Sequence, residues 1–115
     1  MQRDILFLLP PGFEDNARRE FCPECAEMWG VLSYYPAIKE SLDIRYVGIR
    51  HPRTPICDLL GNGKWNAPTL VLASITYPAD QVRSKSENGH IFYDSARTIA
   101  QYFAYKYGIA MPRGS

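Results

Sequence analysis

Ile5-Leu6-Phe7-Leu8-Leu9 is an unbroken apolar run, and a run with no polar member suits a central strand covered on both faces. Pro10-Pro11-Gly12 ends it. From Phe13 to Phe21 the chain carries Glu14, Asp15, Asn16, Arg18, Arg19 and Glu20, which predicts a solvated connection with room for a short helical turn. At Pro23 the period changes. Cys25, Met28, Trp29 and Leu32 fall at i, i+3, i+4 and i+7, the stripe of an amphipathic helix, and Pro23 stands in the first turn, where a missing N–H costs no hydrogen bond. Pro36 ends or kinks this helix near Tyr35, because the residue before a proline avoids the α region. Ala37 to Ser41 add one more turn.

Ile44 to Ile49 alternates in part and reads as a second strand. After the turn Arg50-His51-Pro52-Arg53, Thr54 is expected as N-cap and Pro55 as the first helical residue of a short helix over Ile56 to Leu60, with Gly61 behind it. Pro68 opens the apolar strand Leu70-Val71-Leu72. Tyr77 to Glu87 is polar and predicts a long surface excursion, followed by the turn signal Asn88-Gly89 and the strand His90 to Tyr93. Ala96, Ile99, Phe103 and Tyr107 share one face of a last helix that starts at Asp94 or Ser95 and stops at Gly108. The order strand, helix, strand, helix, strand, strand, helix predicts an α/β domain, βαβ then ββα. The first two strands pair in parallel across a crossover and the last two run antiparallel, in a mixed four-stranded sheet with helices on both faces.

The 115 residues hold one domain, residues 1–115, around one core. A composition of 46% hydrophobic and 22% charged residues is that of a globular protein and excludes disorder as a mode of action. Thirteen Lys and Arg against twelve Asp and Glu leave a net charge of +1, so no cationic excess is available to displace counterions from a nucleic acid. No apolar run approaches the ~18 residues that span a bilayer. The expected setting is therefore cytoplasmic, with neither nucleic acid nor membrane as partner. An odd count of three cysteines agrees, being a poor disulfide framework.

Candidate chemistry centres on Cys22-Pro23-Glu24-Cys25. Cys22 falls at a helix start, where free N–H groups and the helix dipole favour a thiolate, which makes it the candidate nucleophile. Cys25 follows one turn later on the same face, the spacing a resolving thiol needs. The same two-residue spacer suits half of a tetrahedral zinc site, with Cys57 and His51 as further candidate ligands; no second pair at ligand spacing accompanies it, and no metal is assigned. A third reading is a non-catalytic module that binds a protein or dimerises, with Trp29, Trp65 and some of the eight tyrosines on its contact surface.

In its motif and element order the chain resembles the thioredoxin-like superfamily, the glutaredoxin and glutathione-transferase N-terminal branch above all. Three features carry the resemblance: Cys22-Pro23-Glu24-Cys25 after the first strand, Ala67-Pro68-Thr69 ahead of a later strand, and Asp94-Ser95 at the last helix. More narrowly, Phe21 to Cys25, the Pro52-Arg53 turn and the ending Ile99 to Gly108 resemble an uncharacterised bacterial family of thioredoxin-like proteins. The resemblance implies a thiol–disulfide oxidoreductase of glutaredoxin-like type, with Cys22 and Cys25 as its catalytic pair and a cis bond at Pro68. It further implies substrate contacts from Ala67, Pro68, Thr69, Asp94 and Ser95, the last two toward the γ-glutamyl end of glutathione. The implied partner is a disulfide-containing protein or a glutathione-like thiol, with no resident cofactor and glutathione as a candidate co-substrate.

Two features depart from that pattern: the long connection from Pro10 to Phe21, and Glu24 between the cysteines. A carboxylate beside a sulfur disfavours the thiolate while the helix start favours it, so Glu24 is expected to tune the pair. Asp94 and Ser95 also have a purely local role open to them, since either residue caps a helix well. Arg50, Arg53 and Arg97 are candidates for ligand carboxylates, although scattered arginines are usually solvated surface.

Overall fold

A computed structural model describes residues 3–73 and 82–115. The continuous apolar run forms β1 (Ile5–Leu8), buried at all four positions, so both faces of this strand are covered. Pro10 has no N–H to continue the ladder. Two short strands follow, β2 (Phe13–Asp15) and β3 (Arg18–Glu20), paired as a separate hairpin. Here the expectation of a solvated, partly helical connection is corrected. Asn16 and Ala17 take φ of 54° and 59°, the left-handed pair of a two-residue hairpin turn, and bring Phe13 opposite Glu20.

Helix α1 (Pro23–Tyr34) buries Cys25, Met28 and Leu32, and α2 (Pro36–Ser41) resumes directly after the Tyr35 break that Pro36 imposes. The second strand is shorter than its pattern suggests. β4 (Asp43–Tyr46) runs parallel to β1, with Ile5 opposite Asp43 and Leu8 opposite Tyr46, and ends where β1 runs out of residues to pair. In α3 (Thr54–Leu60) the N-cap is Arg53, with no side-chain cap bond, and Thr54 is the first helical residue, one position from expectation. The Arg53 side chain is tied down instead, donating from Nη1 to the Trp65 carbonyl at 2.9 Å and from Nη2 to that of Ile49 at 3.3 Å.

β5 (Thr69–Val71) is fully buried and runs antiparallel to β1, with Phe7 opposite Thr69. β6 (Lys85–Glu87) and β7 (His90–Tyr93) form a hairpin over Asn88-Gly89, and α4 (Ala96–Tyr107) closes the chain, ended by Gly108 at φ 71°. The sheet therefore has five strands, in the order β4-β1-β5-β7-β6, rather than four. The extra strand is Lys-Ser-Glu, exposed at every position, so no apolar alternation announces it. It takes up the last residues of the surface excursion expected from Tyr77 to Glu87; residues 74–81 lie outside the described residues.

Leu6, Phe7, Leu8, Met28, Leu70, Val71, Ile99 and Phe103 make the driest part of the core. Asp4, only 6% exposed, sits at its edge. One of its oxygens accepts the Ala73 N–H at 2.8 Å and the other accepts Lys106 Nζ at 3.1 Å and the Tyr102 hydroxyl at 3.4 Å. Burial pushes the Tyr102 phenol up, and the Asp4 charge adds to it. For Lys106, burial pulls down but the Asp4 hydrogen bond and charge outweigh it, leaving the ammonium above its ordinary value. Among the described residues no helix is long and apolar enough to cross a membrane.

Candidate functional site

Cys22 is the N-cap of α1. Its backbone is extended (φ −81°, ψ 115°) and its Sγ accepts the Cys25 N–H at 3.2 Å, the bond a serine or aspartate makes at this position. Pro23 in the first turn has no N–H to satisfy, so the local sequence drives sulfur and backbone donor together. One turn on, Cys25 is 4% exposed, and its Sγ accepts the Leu9 N–H at 3.4 Å, where the chain leaves β1. Both thiols are free.

The two sulfurs differ in surroundings. Cys22 is half-buried, whereas burial pushes the Cys25 thiol up to about 12, with the hydrogen bond and charge of Cys22 adding to the rise, the Leu9 N–H opposing it, and the charge of Glu24 adding least. A half-exposed sulfur at a helix start beside a buried one held neutral is an arrangement for sequential rather than simultaneous thiol chemistry.

Cys22 and Cys25 line a cleft of about 270 Å³ whose other walls are Leu9, Pro10, Pro11, Phe21, Ala26 and Trp29. Phe21 is 60% exposed, and Lys39 Nζ stands 5.4 Å from the centre of the Trp29 ring. Trp29 belonged to the expected helix stripe, but the remaining wall was not foreseen. It depends on the β2–β3 hairpin returning the chain so that Phe21 stands near Pro10 and Pro11, which local patterning does not encode.

Residues 3–111 match the family described as Protein of unknown function (DUF3088). The chain belongs to that family. No curated protein and no solved structure matches it. The span matched to DUF3088 takes in both cysteines, the Ala67-Pro68-Thr69 segment and the start of α4.

In this DUF3088 chain the remaining candidates divide into two groups. Ala67, Pro68 and Thr69 are all buried, and Ala67–Pro68 is cis. So is His51–Pro52, which nothing in the sequence reading indicated. Thr69 Oγ1 donates to the Asn66 carbonyl, and among the described residues no hydrogen bond joins residues 67–69 to either cysteine. Thr69 and Asp94 instead line a second cleft, about 230 Å³, with Ile56, Lys64, Trp65 and Asn66.

Ser95 is the N-cap of α4, its Oγ accepting the Thr98 N–H at 3.2 Å, and Asp94 pairs with Lys85 at 2.9 Å. Glu24 links the two regions: its Oε1 accepts the Ala96 N–H at 3.0 Å, so the residue between the cysteines helps to cap α4. The proposed zinc partners point elsewhere. Cys57 Sγ donates to the Lys64 carbonyl at 3.6 Å, and the His51 ring packs at a tilt against Trp65 with centroids 4.8 Å apart. Among the described residues no three His, Cys, Asp or Glu side chains gather to hold a metal. Arg97 reaches the Arg113 carbonyl, and Arg53 holds the loops described above.

Proposed function

We propose that the protein is a thioredoxin-like thiol–disulfide oxidoreductase in which Cys22 attacks and Cys25 resolves. The observation that carries this reading is the asymmetry of the two thiols: one half-exposed at the head of a helix and lining a cleft, the other one turn behind it, buried and pushed up to about 12. The parallel β1–β4 pair spanned by α1, followed by the antiparallel β5–β7 pair that feeds α4, supports the fold assignment.

In the forward step the Cys22 thiolate attacks one sulfur of a substrate disulfide. A protein–substrate S–S bond forms as the substrate bond breaks, and the departing sulfur leaves as a thiolate that takes up a proton. Cys25 then loses its proton and attacks the Cys22 sulfur, closing a Cys22–Cys25 disulfide and releasing the second substrate thiol. Two electrons and two protons pass from the protein dithiol to the substrate. Two of the influences that hold Cys25 neutral are the hydrogen bond and the charge of Cys22. Both lapse once Cys22 is tied into the mixed disulfide, which eases the loss of the Cys25 proton, while burial, the larger influence, persists.

The partner in this reading is a disulfide in a polypeptide rather than glutathione. Asp94 and Ser95, the pair that the resemblance puts at the γ-glutamyl end, are engaged within the chain, Asp94 with Lys85 at 2.9 Å and the Ser95 Oγ with the Thr98 N–H at 3.2 Å. Thiol titration combined with metal analysis tests the reading. One fast-alkylating thiol at Cys22, a slow Cys25 and no bound metal is the expected result; tightly bound zinc with both cysteines unreactive would overturn it.

A further inference from the structure

Resting on the reading of Cys22 as the attacking thiol, we infer that the cleft beside it holds one apolar side chain of the substrate polypeptide, next in sequence to the cysteine whose disulfide is attacked. Leu9, Pro10, Pro11, Phe21, Ala26 and Trp29 enclose it, and no charged side chain contributes to the wall. Pro10 and Pro11 also bring no backbone N–H, so this wall has little to offer a polar group. Phe21, 60% exposed, is a large aromatic left in water beside a cleft that Cys22 also lines. An exposed apolar residue standing alone means little, but one that continues an apolar cleft extends a contact surface.

Size selects the occupant. At about 270 Å³ the cleft falls below the ~300–1,000 Å³ usual for sites that enclose a whole small ligand, yet it accepts a single leucine- or phenylalanine-sized side chain. The attacked sulfur must reach Cys22, which is itself part of the wall, so the side chain that fills the cleft is a close neighbour of that sulfur. Such a contact is made when the substrate docks and is kept through the exchange, and it therefore raises the rate of attack at low substrate concentration.

The test compares two uncharged disulfides, because Lys39 beside Trp29 would bias any charged probe. They are the disulfide-linked dimers of a capped phenylalanyl-cysteine dipeptide and of its seryl-cysteine counterpart. Second-order rate constants for single-turnover oxidation of the reduced protein are each divided by the rate of the same disulfide with a small free dithiol. The expected preference for the phenylalanyl dimer is about tenfold, the worth of burying part of one aromatic ring. It should fall to within about twofold in Phe21→Ser, where the altered side chain is mostly exposed, and in Trp29→Ala.

Equal normalised rates in the unaltered protein, or a preference that survives in both variants, would overturn the inference while leaving the oxidoreductase reading intact. Failure of Cys22 to react with either dimer overturns that reading, and this inference with it. A dimer of the protein that Phe21→Ser dissociates in sedimentation would assign the cleft to a second copy of the chain and likewise overturn the inference.

Discussion

The carboxylate of Glu24 and the backbone N–H of Ala96 are hydrogen-bonded at 3.0 Å although 72 residues separate them in the chain. The contact sets the heads of α1 and α4 beside one another. It also satisfies one of the N–H groups that every helix start leaves without an intrahelical partner, and places a negative charge where the α4 dipole favours it. The residue between the two cysteines thus has a structural role at the head of α4.

Removing either cap of α4 should weaken the fold. Glu24→Ala and Ser95→Ala are each expected to lower stability by about 1 kcal/mol, read from urea denaturation midpoints at unchanged slope. The two bonds go to different N–H groups, Ala96 and Thr98, so each single variant should show its own loss. A Ser95→Ala variant that loses stability while binding glutathione as before would exclude a ligand role for that hydroxyl.

Reciprocal cysteine variants separate the two thiols. Cys22→Ser is expected to abolish disulfide reduction, whereas Cys25→Ser should accumulate a mixed disulfide between Cys22 and the substrate, visible by mass spectrometry as one added substrate chain. Equal trapping by both single variants would refute the division of roles.

Alkaline pH should destabilise the protein, and the sign follows from which state holds its protons more tightly. Cys25 rises from 9.0 to about 12 chiefly through burial, and Tyr102 and Lys106 are also shifted upward. Each group with a raised folded-state pKa contributes stability that is complete below its unfolded value and is lost as pH climbs toward the folded one. For Cys25 that window runs from about 9 to about 12. Urea midpoints measured across it should fall steadily, and Cys25→Ala should flatten the fall; a profile unchanged by that substitution would show that Cys25 takes no part.

The turn of the β2–β3 hairpin carries a correctable strain. Ala17 has φ 59°, a left-handed conformation in which its Cβ crowds the following carbonyl. Ala17→Gly should raise stability by about 1 kcal/mol, partly offset by glycine's greater freedom when unfolded. A lower denaturation midpoint would mean that the Ala17 side chain contributes more than its backbone costs.

Elements whose signals are local were legible in the sequence. β1 showed itself as an apolar run, α1 as a stripe behind Pro23, and α4 as a stripe between Ser95 and Gly108, because burial periodicity and cap chemistry are written within a few residues. The β2–β3 hairpin escaped because its strands are mostly charged and its turn is Asn16-Ala17, without the glycine that marks Asn88-Gly89. β6 escaped for a related reason: it is exposed at every position and shows no apolar alternation. At the candidate site the cysteine spacing was readable, and so was the capping role of Ser95. The partner of Glu24 and the wall of the cleft were not, since both depend on which distant segments the sheet brings together.

Asp4 makes the entry to β1 depend on segments far along the chain. Its carboxylate receives Ala73 from beyond β5 and both Tyr102 and Lys106 from α4, so a group near the beginning of the chain is answered only by groups far along it. β1, which it precedes, likewise finds both of its sheet neighbours later, at residues 43–46 and 69–71. A nascent or truncated chain that ends before α4 can form the parallel pair, but it leaves Asp4 without its ammonium and phenol partners. Contacts this distant in sequence slow folding. The first strand is thus held from two directions by later segments, its ladder by β4 and β5 and its entry by the Asp4 contacts to α4.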